Sequence, residues 1–227
     1  MTKTEQLPFD LGPRHAHERE DFWVSDSNRA AIAWLDRWAG ANAPEMSGWP
    51  APVLVIYGPL ACGKSHLCSV WQKKSHAVMM DSVEKMQDWR GGPVSVVCDN
   101  ALRFIGDRKN EEYLFHLYNS MQGKGVHILM TAEKPVAEWP FVLPDLKSRL
   151  MAAPAVEVGS PDDMLMAVVL TKLFSDRQIF VPQEVVQFIV SRIERSFLAM
   201  RQIVDKIDRR ALSEKRPVTI PLVRELL

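Results

Sequence analysis

The chain has 227 residues, 47% hydrophobic and 25% charged, enough apolar material for a buried core in one or two domains. Its 28 Lys and Arg balance 28 Asp and Glu, which removes the electrostatic case for strong unaided nucleic-acid binding while leaving local basic faces open. No apolar run reaches a membrane span and the N-terminus lacks a signal-peptide core, so a cytoplasmic protein without a membrane partner is expected. Cys62, Cys68 and Cys98 lack metal-ligand spacing and are expected as free buried thiols.

Residues 1–20 are polar apart from Gln6-Leu7-Pro8-Phe9-Asp10-Leu11. Pro8 and Pro13 block a helix, so an extended segment is expected, with Leu7, Phe9 and Leu11 either frayed or inserted into a partner's pockets. Ser25-Asp26-Ser27 offers N-caps, and Ala30, Ala31, Trp34, Leu35 and Trp38 then recur at helical spacing, with the tryptophans expected in the core and Asn28 open to a nucleotide base. The Gly-, Pro- and Ala-rich stretch from Gly40 to Pro52 is a loop.

The apolar run Val53-Leu54-Val55-Ile56-Tyr57 leads into Gly58-Pro59-Leu60-Ala61-Cys62-Gly63-Lys64-Ser65, which has the G-x-x-x-x-G-K-S spacing of a phosphate-binding loop between strand and helix. Gly58 and Gly63 let backbone N–H groups approach phosphate, the helix N-terminus adds donors, Lys64 reaches the β- and γ-phosphates, and the Ser65 hydroxyl ligates Mg²⁺. The alternative is a glycine turn that happens to spell the motif.

The helix is expected to end near Lys74-Ser75, followed by a short strand at Ala77–Met80 and a buried strand Val94–Asn100. Asp99 at that strand's end fits a Mg²⁺-holding Walker B carboxylate or a turn residue. Asn100 stands where many hydrolysing NTPases carry Glu and cannot accept a proton from water, so binding without brisk turnover is expected. A helix from Glu111 to Met121 and a strand Val126–Thr131 follow, Thr131 sitting at the same sheet edge as Asp99 as a γ-phosphate sensor or a turn cap. Arg149, by itself a solvated charge beside a loop, precedes a last strand at Ala155–Val158. From Pro161 the pattern is helical only: a helix opened by Asp162-Asp163, one with Pro182 at its first position, one from Phe197 to Leu212, and a short one from Ile220.

These motifs in this order resemble the AAA+ family from about residue 20 onward and, more narrowly, the replication initiator DnaA shorn of its DNA-binding domain, in the manner of the Hda/HdaA family of regulatory inactivators. The likeness is carried by Gln6–Leu11, Phe115-His116-Leu117-Tyr118-Asn119, Pro144-Asp145-Leu146-Lys147-Ser148-Arg149-Leu150, the Asp99-Asn100 pair and the closing Thr219–Leu227. It implies an α/β AAA+ P-loop fold with a parallel five-stranded sheet and a small C-terminal all-helical lid. The implied division is a tail at 1–20, a nucleotide-binding domain at 21–159 and a lid at 160–227.

The resemblance further implies ADP or ATP with Mg²⁺, held by Gly58, Pro59, Gly63, Lys64, Ser65, His66, Asp99, Asn100 and Thr131, with Ser65 and Asp99 at the metal. Gln6, Leu7, Phe9 and Leu11 become a binding motif for the β sliding clamp of DNA polymerase III. Arg149 becomes an arginine finger offered in trans to DnaA, and self-association through the same AAA+ face is open. DNA is then met mainly through the clamp, at the replisome. One departure is Leu198, where AAA+ lids commonly carry a sensor arginine; Arg195 and Arg201 lie three residues to either side. A self-contained ATPase acting as helicase loader or remodelling motor is the competing reading. A DNA-binding initiator variant fits poorly with neutral charge and with a sequence offering no DNA-reading module after the lid.

Overall fold

The structure is a computed structural model that describes residues 23–38, 48–82, 85, 95–122, 124 and 126–227. The clamp-motif residues Gln6, Leu7, Phe9 and Leu11 lie outside the described residues.

Five parallel strands form one sheet in the order β2-β3-β4-β1-β5. They are β1 (Val53–Tyr57), β2 (Val78–Met79), β3 (Val96–Cys98), β4 (Ile128–Ala132) and β5 (Ala155–Glu157). Both faces are covered, which is why β1 and β4 read as continuous apolar runs rather than alternating ones. Successive side chains still point to opposite faces. Val53, Val55, Ile128 and Met130 pack with α3 (Arg108–Met121) and α4 (Pro144–Ala152), whereas Leu54, Ile56, Val97 and Leu129 pack with α1 (Arg29–Arg37) and α2 (Lys64–Ser75).

The helix ends follow capping chemistry with two departures from expectation. Asp107 caps α3 by accepting from the Asn110 N–H at 2.9 Å. At α1 the capping position is Asn28, not the preceding Ser-Asp-Ser, and its amide is spent on its own approach segment: Oδ1 accepts from the Ser25 N–H and Nδ2 donates to the Trp23 carbonyl, each at 2.9 Å. Asn28 is buried, with both ends of its amide engaged by its own segment. Pro182 is the N-cap of its helix rather than the first helical residue, with extended backbone.

At the other end of β4, Trp49 stacks on Trp71 with centroids 5.2 Å apart, and Trp38 meets Trp71 edge-on at 5.5 Å. Trp38 Nε1 donates to His127 Nδ1 at 3.2 Å, so that nitrogen carries no proton, and burial lowers the His127 pKa in the same sense. Trp38 is core, as its helical spacing predicts, and Trp34 is partly buried against the same cluster; Trp49 and Trp71 are buried too, and Trp23 is exposed.

The C-terminal part is four helices, α5 (Asp163–Asp176), α6 (Gln183–Val190), α7 (Phe197–Glu214) and α8 (Ile220–Arg224), around a core of their own that includes Met166, Leu170, Phe174, Ile189, Val204 and Leu222. Asp162 and Ser196 cap α5 and α7 through the N–H groups of Leu165 and Ala199. Among the described residues no helix is long and apolar enough to cross a membrane.

Glu111, on the first turn of α3, was not singled out by pattern because an acidic residue there also suits the helix dipole. It is fully buried and accepts from three backbone N–H groups: Gly106 at 2.8 Å, Val142 at 3.1 Å and Leu143 at 2.6 Å. One carboxylate thus ties the turn before α3 to the loop that launches α4. Glu111→Ala leaves those donors without their acceptor, and we expect a loss of about 3 kcal/mol in unfolding free energy, read as a lower urea midpoint at unchanged slope.

Candidate functional site

The strand register fixes the site. Cys98 lies beside Met130 and Ile56 beside Thr131, so Asp99, one residue past β3, is level with Thr131 at the carboxyl edge of the sheet. Thr131 is one residue short of the end of β4, which Ala132 closes. Its hydroxyl donates to Asp99 Oδ1 at 2.5 Å and accepts from the Asn100 N–H at 2.8 Å. One buried threonine therefore holds both residues after β3.

Asn100 occupies the left-handed region with φ of 60°. Asn tolerates that conformation better than most side chains, because its short amide can bond locally, whereas a longer carboxylate gains nothing there. The departure from Asp-Glu is thus matched by the backbone as well as by the lost basicity.

The loop after β1 binds to the sheet through the Gly58 N–H, which donates to the Ala132 carbonyl at 3.2 Å. A Cβ on Gly58 would stand 2.0 Å from the Val158 carbonyl oxygen, so glycine is required by the neighbouring chain itself, before any phosphate is considered. Gly63 has φ of 103°, and a Cβ there would meet the Phe197 ring at 3.1 Å. The Phe197 N–H also donates to the Ala61 carbonyl at 2.9 Å. Phe197, the first residue of α7, therefore joins the helical part to the loop, a contact that no local pattern announces.

Lys64 Nζ donates to the carbonyls of Gly58 at 2.8 Å and Pro59 at 2.7 Å, which holds the ammonium at the loop mouth. Gly63 gives α2 no side-chain cap, so the first N–H groups of the helix are available to an anion. Ser65 is exposed on the first turn and His66 is half-buried behind it. This donor set fits a polyphosphate. Among the described residues no three His, Cys, Asp or Glu side chains converge on a metal site, so a magnesium ion at Ser65 and Asp99 would be completed by phosphate and water.

The three thiols are buried, as expected. Burial pushes Cys98 up to about 12, against the lowering influence of Arg103. Cys68 is raised well above the ordinary value by burial first, then by Asp99 and Cys98, with Lys64 opposing.

Arg149 lies in the last turn of α4, half-buried, rather than as a solvated charge beside a loop. Its guanidinium carbon is 5.1 Å from the Phe115 ring centroid and 5.2 Å from that of Tyr118. No carboxylate pairs with it among the described residues. In the helical part, Arg195 is bound to Asp163 at 2.8 Å, tying the start of α7 to α5, and Leu198 is exposed. Arg201 is exposed, with no ion pair among the described residues.

Residues 163–227 match the family described as the Hda lid domain. The whole fold resembles domain III of the replication initiation protein DnaA from Thermotoga maritima, with a TM-score of 0.75 at 20% identity over 98% of each chain. It also resembles AMPPCP-bound DnaA from Aquifex aeolicus, with a TM-score of 0.68 at 16% identity over 87% of this chain and 66% of that one. A variant of RuvB from Thermotoga maritima aligns with a TM-score of 0.66 at 13% identity over 88% of this chain and 66% of that one. At these identities the likenesses establish the AAA+ fold.

Lys64→Ala is expected to weaken nucleotide binding about 10- to 100-fold, as titration with a fluorescent nucleotide would read. At pH 8 a thiol with a pKa near 12 is thiolate in only about one molecule in 10⁴. Cys98 should therefore resist Ellman's reagent in the native protein and react promptly in urea, as peptide mass mapping would show.

Proposed function

We propose that this chain, which joins an Hda lid domain to an AAA+ core of the DnaA type, is a negative regulator of replication initiation that promotes ATP hydrolysis by DnaA. In this reading, Gln6, Leu7, Phe9 and Leu11 in the tail at 1–20 tether it to the DNA-loaded β clamp of DNA polymerase III. The α/β domain at 21–159 holds ADP or ATP with Mg²⁺, and the lid at 160–227 closes on it. Arg149 enters the DnaA active site, where its charge offsets that developing on the transferred phosphoryl oxygens.

The observation that carries the reading is the pairing of opposites on one chain. Arg149 is a guanidinium that meets no carboxylate among the described residues and lies against two aromatic rings, which suits a role toward an anion outside the molecule. The chain's own site combines a phosphate-binding loop with Asn100, which supplies no general base. Such a protein retains nucleotide as a ligand fixing lid against core, through Phe197 and the loop, more readily than as a fuel. That the similar DnaA from Aquifex aeolicus is AMPPCP-bound supports nucleotide binding by this chain.

The test is single-turnover hydrolysis of ATP preloaded on DnaA, with this protein, its nucleotide and DNA-loaded clamp added. Arg149→Ala should lower the stimulated rate by about 10³-fold or more while clamp binding persists. Gln6→Ala with Phe9→Ala should abolish clamp binding and, with it, the clamp dependence of the rate. Steady hydrolysis by this protein alone, with no effect on DnaA, would replace the adaptor by the self-contained motor.

A further inference from the structure

The chain is neutral overall, but its charge is not evenly spread. Lys206, Arg209, Arg210 and Ser213 recur at three- and four-residue spacing along α7, share one side of it, and with Leu226 line a shallow hollow that contains no carboxylate. The four α7 positions run about 10 Å along the helix axis. All four side chains are exposed.

The neighbouring carboxylates are engaged by cations, Asp205 and Asp208 from outside the strip and Glu214 and Glu225 partly by Arg210 within it. Arg177 holds Asp205, and its Nε is 3.7 Å from Asp208. Glu214 accepts from Arg210 and Arg216, each at 2.8 Å, and Glu225 lies 3.6 Å from Arg210. Lys206 and Arg209 meet no carboxylate among the described residues. Arg210 is shared with Glu214 and Glu225. The result is a positive strip on a helix whose buried side (Met200, Ile203, Val204, Ile207) anchors it in the lid core.

We propose that this strip is a direct contact surface for the phosphate backbone of duplex DNA. Lys and Arg on one helix side, without aromatic side chains in the hollow, suit regularly spaced phosphates and lack the stacking platforms with which proteins hold single-stranded bases. The Ser213 hydroxyl is engaged with the Arg210 carbonyl at 2.9 Å, so the contact is made by charge and not by a base-reading hydrogen bond; it is independent of sequence. Two or three phosphate contacts give weak binding alone. On a clamp already encircling the duplex, the same contacts act at the high effective concentration that a tether supplies. The proposal extends the adaptor reading, yet its test contains neither DnaA nor clamp, so either can fail without the other.

The full chain is titrated against a fluorescent duplex of about 30 base pairs by anisotropy, at salt from about 50 to 200 mM. With about three phosphates contacted, the association constant should fall about 40-fold across that range. Lys206→Glu with Arg209→Glu should weaken binding at the lowest salt by at least about tenfold and flatten the log–log salt slope by about two. Lys109→Glu with Lys124→Glu, the same charge change on exposed positions of the α/β domain, should leave the slope unchanged. Unaltered melting temperatures establish that both variants are folded. No binding by the wild type up to about 100 µM, an equal loss in the control pair, or tighter competition by poly-glutamate than by unlabelled duplex each overturns the proposal, the last in favour of an acidic protein partner.

Discussion

The site hangs on a close approach between two backbones. The chain leaving β5 brings the Val158 carbonyl to within 2.0 Å of where a Gly58 Cβ would be, while the Val158 N–H donates to the Tyr57 carbonyl at 2.7 Å and the Gly58 N–H to Ala132 at 3.2 Å. The phosphate-binding loop is therefore gripped by the strands on both sides of β1 before it turns. On that start the Lys64 ammonium is held at the Gly58 carbonyl, beside the N-terminus of α2, which has no side-chain cap.

From that grip the geometry extends in two directions. Along the sheet edge, parallel register sets Thr131 level with Asp99, and a single hydroxyl fixes both the carboxylate and the Asn100 backbone. Toward the lid, Ala61 and Gly63 receive the Phe197 N–H and ring, so the lid's third helix starts on the nucleotide loop itself. A hydrogen bond and a ring contact thus couple the loop to the lid.

The opposite side of the α/β unit is organised by Glu111. A buried carboxylate is costly unless its oxygens are satisfied, and here backbone N–H groups from two segments satisfy them. Because one of those segments launches α4, the carboxylate also sets the direction of the helix bearing Arg149. Phe115 and Tyr118, on the same helix as Glu111, then place their rings against the guanidinium, whose carbon lies 5.1 Å and 5.2 Å from their centroids.

The local pattern alone determined the loop, the apolar strands, the lid helices and the buried thiols, because each of these is a short-range matter of spacing, period and burial tendency. It also singled out Asp99, Asn100 and Thr131, but only as residues at the ends of elements, while Arg149 stood out only through the family resemblance. Tertiary structure decided what each one touches. Thr131 bonds Asp99 because two strands distant in sequence lie side by side, and Arg149 is clasped because α3 and α4 cross. Phe197, Glu111 and the basic strip on α7 were illegible for the same reason: a ring on a glycine, a carboxylate on three amides and a hollow lined by cations are properties of neighbours. Asn28 shows the converse, since its place at a helix start suggested a ligand and its partners proved to be two residues of its own approach segment. Spacing along a chain encodes which conformations are affordable; which side chains meet is encoded only in how the elements pack.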